Sequence, residues 1–106
     1  MGSNAESIVK ASAQRLFPDL SLDQVLAELL LERARKNLIK YKAMACRFES
    51  KYGVGFGSFR QRMLDSEPSF ETEQDYFDWE LAVTGIADME EEIERLSGIG
   101  RQHGRG

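Results

Sequence analysis

SLDQVLAELLLERARKNLIKYKAMACRFESKYG, Ser21 to Gly53, is the stretch whose reading decides the fold. Ser21 has the character of a helix N-cap, and Gln24 stands three residues on, where a capping-box side chain reaches back to the cap's own N–H. Leu22, Val25, Leu26, Leu29, Leu30, Leu31, Ala34, Leu38, Tyr41, Ala45, Phe48 and Tyr52 supply apolar positions at helical spacing, with no Pro or Gly before Gly53. From Leu38 the steps run three, four, three, four, the spacing of a coiled-coil seam. Gly53 suits the left-handed position after a helix, with Val54 placed to fold back on Phe48. A helix of this span is about 45 Å long and needs a partner along its whole apolar face.

A second long helix is predicted to start between Pro68 and Thr72 and to end near Ser97, with Gly98 and Ile99 repeating the Gly53–Val54 stop. It carries two apolar lines. Phe70, Phe77, Leu81 and Thr84 form one; Trp79, Ala82, Ile86, Met89, Ile93 and Leu96 form the other. Two lines imply two buried faces, and the segment Ala82, Ile86, Met89 and Ile93 is assigned to an oligomer interface. Gly85 inside a helix costs about 1 kcal/mol relative to Ala, which is offset if another backbone approaches there, so it marks a helix crossing.

Around this pair the shorter pieces fall into place. Met1 to Ala5 have the small polar composition of a tag remnant or disordered end, and residues 6–99 are read as one helical domain. Ser7 to Phe17 gives a helical arm that Pro18 ends, with Leu20 as the apolar residue before the Ser21 cap. Gly53, Gly55 and Gly57 mark a loop, without the preceding strand or following Lys-Ser/Thr of a phosphate loop. Ser58 then caps a short linking helix from Phe59 to about Ser66, whose buried side is Phe59 and Met63, and Phe56, Phe59 and Phe70 cluster at that end. Residues 100–106 read as a mobile tail, and His103 in it has no ligand-spaced companion. The expected fold is all-α: an antiparallel hairpin of two long helices with a short linking helix and an N-terminal arm. Such a two-layer object leaves apolar surface over, so it is expected to dimerise into a four-helix-bundle-like assembly.

At 106 residues, 42% hydrophobic and 30% charged, the chain has the balance of a folded domain. A single cysteine, Cys46, excludes an internal disulfide framework and reads as a small packed residue. The absence of a secretory segment, a membrane-length apolar run or a lipidation signature points to a cytoplasmic protein with no membrane association.

Net charge is −4, but it is unevenly placed. Leu22 to Leu64 holds nine basic and four acidic residues, whereas Asp65 to Glu94 holds twelve acidic residues and no Lys or Arg. The basic stripe Arg33, Lys36, Lys40, Arg47 and Lys51 reads most simply as a solvated face with Glu28, Glu32 and Glu49 as local partners, and nucleic-acid binding is not expected of it. The acidic helix mixes carboxylates with aromatic rings. Rings supply anchor area and charges supply steering, which suits a basic protein partner held by Glu71, Asp75, Tyr76, Asp78 and Trp79. The plainer alternative makes the rings core and pairs the carboxylates with the first helix's cations.

Three catalytic readings compete with this. Asp75 and Asp78, or Asp88, Glu90, Glu91, Glu92 and Glu94, with Glu28 and Glu32 opposite, resemble the carboxylate sets of all-helical, Mg²⁺-dependent nucleotide pyrophosphohydrolases. The Glu-x-x-His pairs of di-iron bundles are missing, and no Ser or Cys has a base in reach, so no catalytic residue, metal ligand or cofactor is assigned. The runs LLLERARKNLIKYKAMACRFESKYG and EPSFETEQDYFDWELAVTGIADMEEEIERL resemble small, largely uncharacterised all-helical prokaryotic proteins, some of them from toxin–antitoxin-type gene pairs. That resemblance implies an antitoxin-like acidic helical partner neutralising a basic, nucleic-acid-directed protein. The reading is therefore a non-enzymatic protein-interaction module, with the hydrolase and a purely structural oligomer as alternatives.

Overall fold

The computed structural model describes residues 2–103. They form four helices, α1 (Gly2–Leu16), α2 (Leu22–Tyr52), α3 (Phe56–Asp65) and α4 (Phe70–His103), and no strand among the described residues.

Both ends of α2 follow from its sequence. The Ser21 hydroxyl accepts from the Gln24 N–H at 3.2 Å while the Gln24 side chain accepts from the Ser21 N–H at 2.9 Å, a reciprocal capping box. At the other end Gly53 adopts φ 70°, and its N–H donates to the Glu49 carbonyl at 2.7 Å. That conformation is strained for a residue with a Cβ, which is why glycine stands there. α4 starts on a cap of the same chemistry: the Ser69 hydroxyl accepts from the Thr72 N–H at 3.1 Å.

The core lies where α2, α3 and α4 meet. Ala45, Phe59, Trp79 and Ala82 are its buried centre, bordered by Phe48, Tyr52, Val54, Phe56, Met63 and Ile86. Trp79, only 1% exposed, is ringed by Phe59 at 5.0 Å, Phe56 at 5.4 Å, Phe48 at 5.6 Å and Tyr52 at 6.1 Å between centroids. Offset and edge-on arrangements of this kind add to the burial of the rings themselves. Along the pair the contacts run Tyr52 to Asp75, Phe48 to Trp79 and Tyr41 to Gly85, the α4 partner rising as the α2 residue falls. Beyond these, Leu31 and Ala34 are buried on the same face of α2, so the α2 seam extends well toward the start of the helix.

Several local expectations are corrected. α1 spans Gly2–Leu16 rather than starting at Ser7. α3 begins at Phe56 with Gly55 before it and no side-chain cap, so Ser58 lies inside the helix. Phe56 and Phe59 are one turn apart and both pack on Trp79, and that shared anchor sets the start. Phe70 is 84% exposed and takes no part in the aromatic cluster, because nine residues before Trp79 places it half a turn round the helix. Cys46 is exposed, one position round from buried Ala45. α4 does not stop at Ser97. It passes through Gly98 and on to His103, since Ile99 continues the apolar spacing of Ile93 and Leu96 and a glycine merely permits a stop.

The molecule measures 58 × 36 × 18 Å with a radius of gyration of 20.1 Å. A compact chain of this length has a radius of gyration near 13 Å, so this is an extended object.

Candidate functional site

The five residues expected to hold a partner divide into two groups. Asp75 sits on the α2-facing seam, where its Oδ2 accepts from the Lys51 Nζ at 2.6 Å and from the Tyr52 hydroxyl at 2.5 Å. These two donors, the Lys51 ammonium first, hold the Asp75 carboxyl below the usual carboxylate range. Burial, helped by Asp75, pushes the Tyr52 phenol up, and the hydrogen bonds to Asp75 and Glu71 raise Lys51. Trp79 is the centre of the core. Asp75 and Trp79 therefore fasten α4 to α2, and a partner cannot reach the indole.

Of the other three, Glu71 is exposed, and Tyr76 and Asp78 are half-buried. Glu71 also meets Lys51, at 3.1 Å, but most of its side chain stays in solvent. Tyr76 is half-buried: its ring stacks on Phe56 at 5.6 Å and packs against the core, stands edge-on to Phe77 at 5.6 Å, and carries its hydroxyl 3.4 Å from Glu80. Asp78 is half-buried and accepts a long 3.4 Å bond from Gln74. The exposed rings in this half of α4 are Phe70 and Phe77, at 84% and 54% exposed, with Leu81 beyond them. They lie on the line predicted to be one of two buried faces; it is the open one.

The carboxylates here are little neutralised from within. Among the described residues, Lys51 is the only cation that bridges from α2 to α4, while Arg95 serves Glu91 at 3.3 Å and Glu92 in the last part of α4 itself. The stripe Arg33, Lys36, Lys40 and Arg47 makes no ion pair with α4 among the described residues. Glu71 and Glu73 occupy the first turn of α4, where the helix dipole favours negative charge. The resulting surface is Phe70, Phe77 and Leu81 set among Glu71, Glu73, Asp78 and Glu80.

The residues assigned to an oligomer interface are partly closed off as well. Ala82 is 0% exposed in the core with Ala45, and Ile86 packs on the same cluster, so this stretch of the seam is filled by the chain's own α2. Met89 and Ile93 are half-buried. Among the described residues no three His, Cys, Asp or Glu side chains converge as a metal site requires, and Glu28 and Glu32 are exposed. No described helix is long and apolar enough to cross a membrane.

Sequence reasoning missed that the exposed rings are Phe70 and Phe77. Spacing places them half a turn from Trp79 but does not say which of the two lines α2 covers. No family model, no characterised protein and no solved structure matches this chain.

Proposed function

We propose that this chain is a protein-interaction module: an antiparallel helical hairpin that self-associates and offers the first half of α4 to a basic protein partner, in the manner of an antitoxin. The observation that carries this is the pairing of large exposed rings with unneutralised carboxylates, Phe70 and Phe77 among Glu73, Asp78 and Glu80. Exposed phenylalanines add little to the fold of this chain and suit an anchor that fills a pocket on its partner, while the surrounding charge raises the association rate and rejects acidic surfaces. Asp75 and Trp79 contribute by holding this face rigid from behind.

The test is capture of proteins from the native host on the immobilised chain, alongside two variants, Phe70→Ala with Phe77→Ala and Glu73→Lys with Asp78→Lys. A basic protein retained by the wild type, released as salt rises and lost by both variants is the expected result. Retention of no such protein, or equal retention by all three, rejects the reading.

A further inference from the structure

We infer that a second copy of this chain docks on the leucine face of α2, with Leu26 of each copy on the two-fold axis. Leu22, Leu26, Leu29 and Leu30 are all exposed, and their spacing puts them on one face of α2, apart from the buried line of Ala27, Leu31 and Ala34 that faces into the chain. The inference rests on the self-association in the function proposed above and places it on a surface other than Ala82, Ile86, Met89 and Ile93.

Area is the first support. The chain exposes 7889 Å² at a mass of 12.0 kDa, whereas a compact monomer of that mass exposes about 6,000 Å². That surplus of roughly 1,900 Å² is spread over the whole extended chain, enough to include the roughly 800 Å² per partner that a stable interface covers, and Leu22, Leu26, Leu29 and Leu30 are an apolar part of it. The leucine face adjoins α1, and Leu22 lines a cleft of about 300 Å³ with Ala5, Glu6, Val9 and Lys10, concave space that a partner side chain can fill.

Charge selects the occupant. Past Leu30 the same face of α2 continues as Arg33, Lys36 and Lys40, all exposed, which repels the basic protein proposed for α4. Two copies of α2 running in opposite directions about Leu26 set Leu22 of each against Leu30 of the other. The same register brings Arg33 of each toward exposed Asp19 of the other. An isologous contact of this kind makes the leucine pairing and the Arg33–Asp19 approach twice over, leaves Lys36 and Lys40 in solvent, and closes at two copies.

Sedimentation equilibrium on the full chain tests this. The wild type is expected at twice 12.0 kDa, and Leu26→Glu with Leu30→Glu is expected to weaken association by about a hundredfold or more with unchanged helical circular dichroism. In a Cys46→Ser background, Leu26→Cys is expected to form a disulfide between copies on mild oxidation, and Ile39→Cys is not; this arm stands even if the glutamate variant fails to fold. A two-copy wild type whose Glu variant remains two-copy, or whose Leu26→Cys form does not cross-link, overturns the placement and leaves self-association standing. A wild type that stays single at about 100 μM overturns both, and neither result bears on capture of the basic partner.

Discussion

Gly85 of α4 lies so close to the ring of Tyr41 on α2 that a Cβ added to it would meet Cδ2 and Cε2 at 2.6 Å and Cγ at 2.8 Å. The glycine is in mid-helix, where it costs about 1 kcal/mol relative to Ala, and the ring takes the space its missing side chain leaves. Gly85→Ala is expected to destabilise the protein by about 1 kcal/mol or more, overpacking outweighing the gain in helix propensity. In a Tyr41→Ala background the same change is expected to stabilise. Denaturant melts of the four proteins in this cycle check it, and an equal effect in both backgrounds refutes the contact.

Trp79 is the only tryptophan, which makes the core directly observable. Its emission is expected to be blue-shifted and poorly quenched by iodide, and binding of a partner to α4 is expected to leave it so. Trp79→Ala should cost about 3–5 kcal/mol, a large share of the roughly 5–15 kcal/mol that holds a small domain folded. Trp79→Phe should cost much less. A solvent-exposed emission spectrum would instead return Trp79 to the partner-binding surface.

The Lys51, Tyr52 and Asp75 cluster gives stability a pH dependence of definite sign. Asp75 has a folded pKa below its unfolded value, so its contribution is complete above the unfolded value and is lost as pH falls through the folded one. Lys51 and Tyr52 act in the other sense: held protonated above their ordinary values, they contribute fully below those values and lose it as pH rises beyond them. Melting temperature is therefore expected to be insensitive to this cluster near neutrality and to fall on the acid side, and Asp75→Asn is expected to flatten that acid limb. Tyr52→Phe should cost about 0.5–1.5 kcal/mol near neutral pH.

Much of the architecture was written plainly in the sequence. Ser21 with Gln24, and Gly53, announce the ends of α2 because a cap is a local device whose chemistry needs no tertiary partner. Gly85 was legible as a crossing for a related reason, a penalty inside a helix that only close packing offsets. Gly98 misled because it permits a stop without requiring one, and the apolar spacing through Ile99 carried α4 onward. The candidate surface was harder still. Phe70, Phe77 and Leu81 and the line through Trp79, Ala82 and Ile86 have equally good helical spacing. Spacing cannot say which line α2 takes; that is settled by fit, Ala45 with Ala82 and Tyr41 with Gly85, which belongs to the pair of helices rather than to either one.

The exposed rings on α4 are expected to be energetically silent in the isolated chain. Phe77→Ala removes a side chain that is more than half exposed, so its melting temperature should stay close to wild type, while capture of the basic partner proposed for α4 is expected to weaken by about 2 kcal/mol. A large loss of stability would show the ring to be core in solution.

Small-angle scattering on material separated by size bears most directly on the proposal that two long helices share their spare apolar face between copies. Wild type is expected to scatter as a particle of twice 12.0 kDa, and the Leu26→Glu, Leu30→Glu form as a single extended chain with a radius of gyration near 20.1 Å. A wild-type particle of one chain's mass and a radius of gyration near 13 Å, the value for a compact domain of this length, would contradict it.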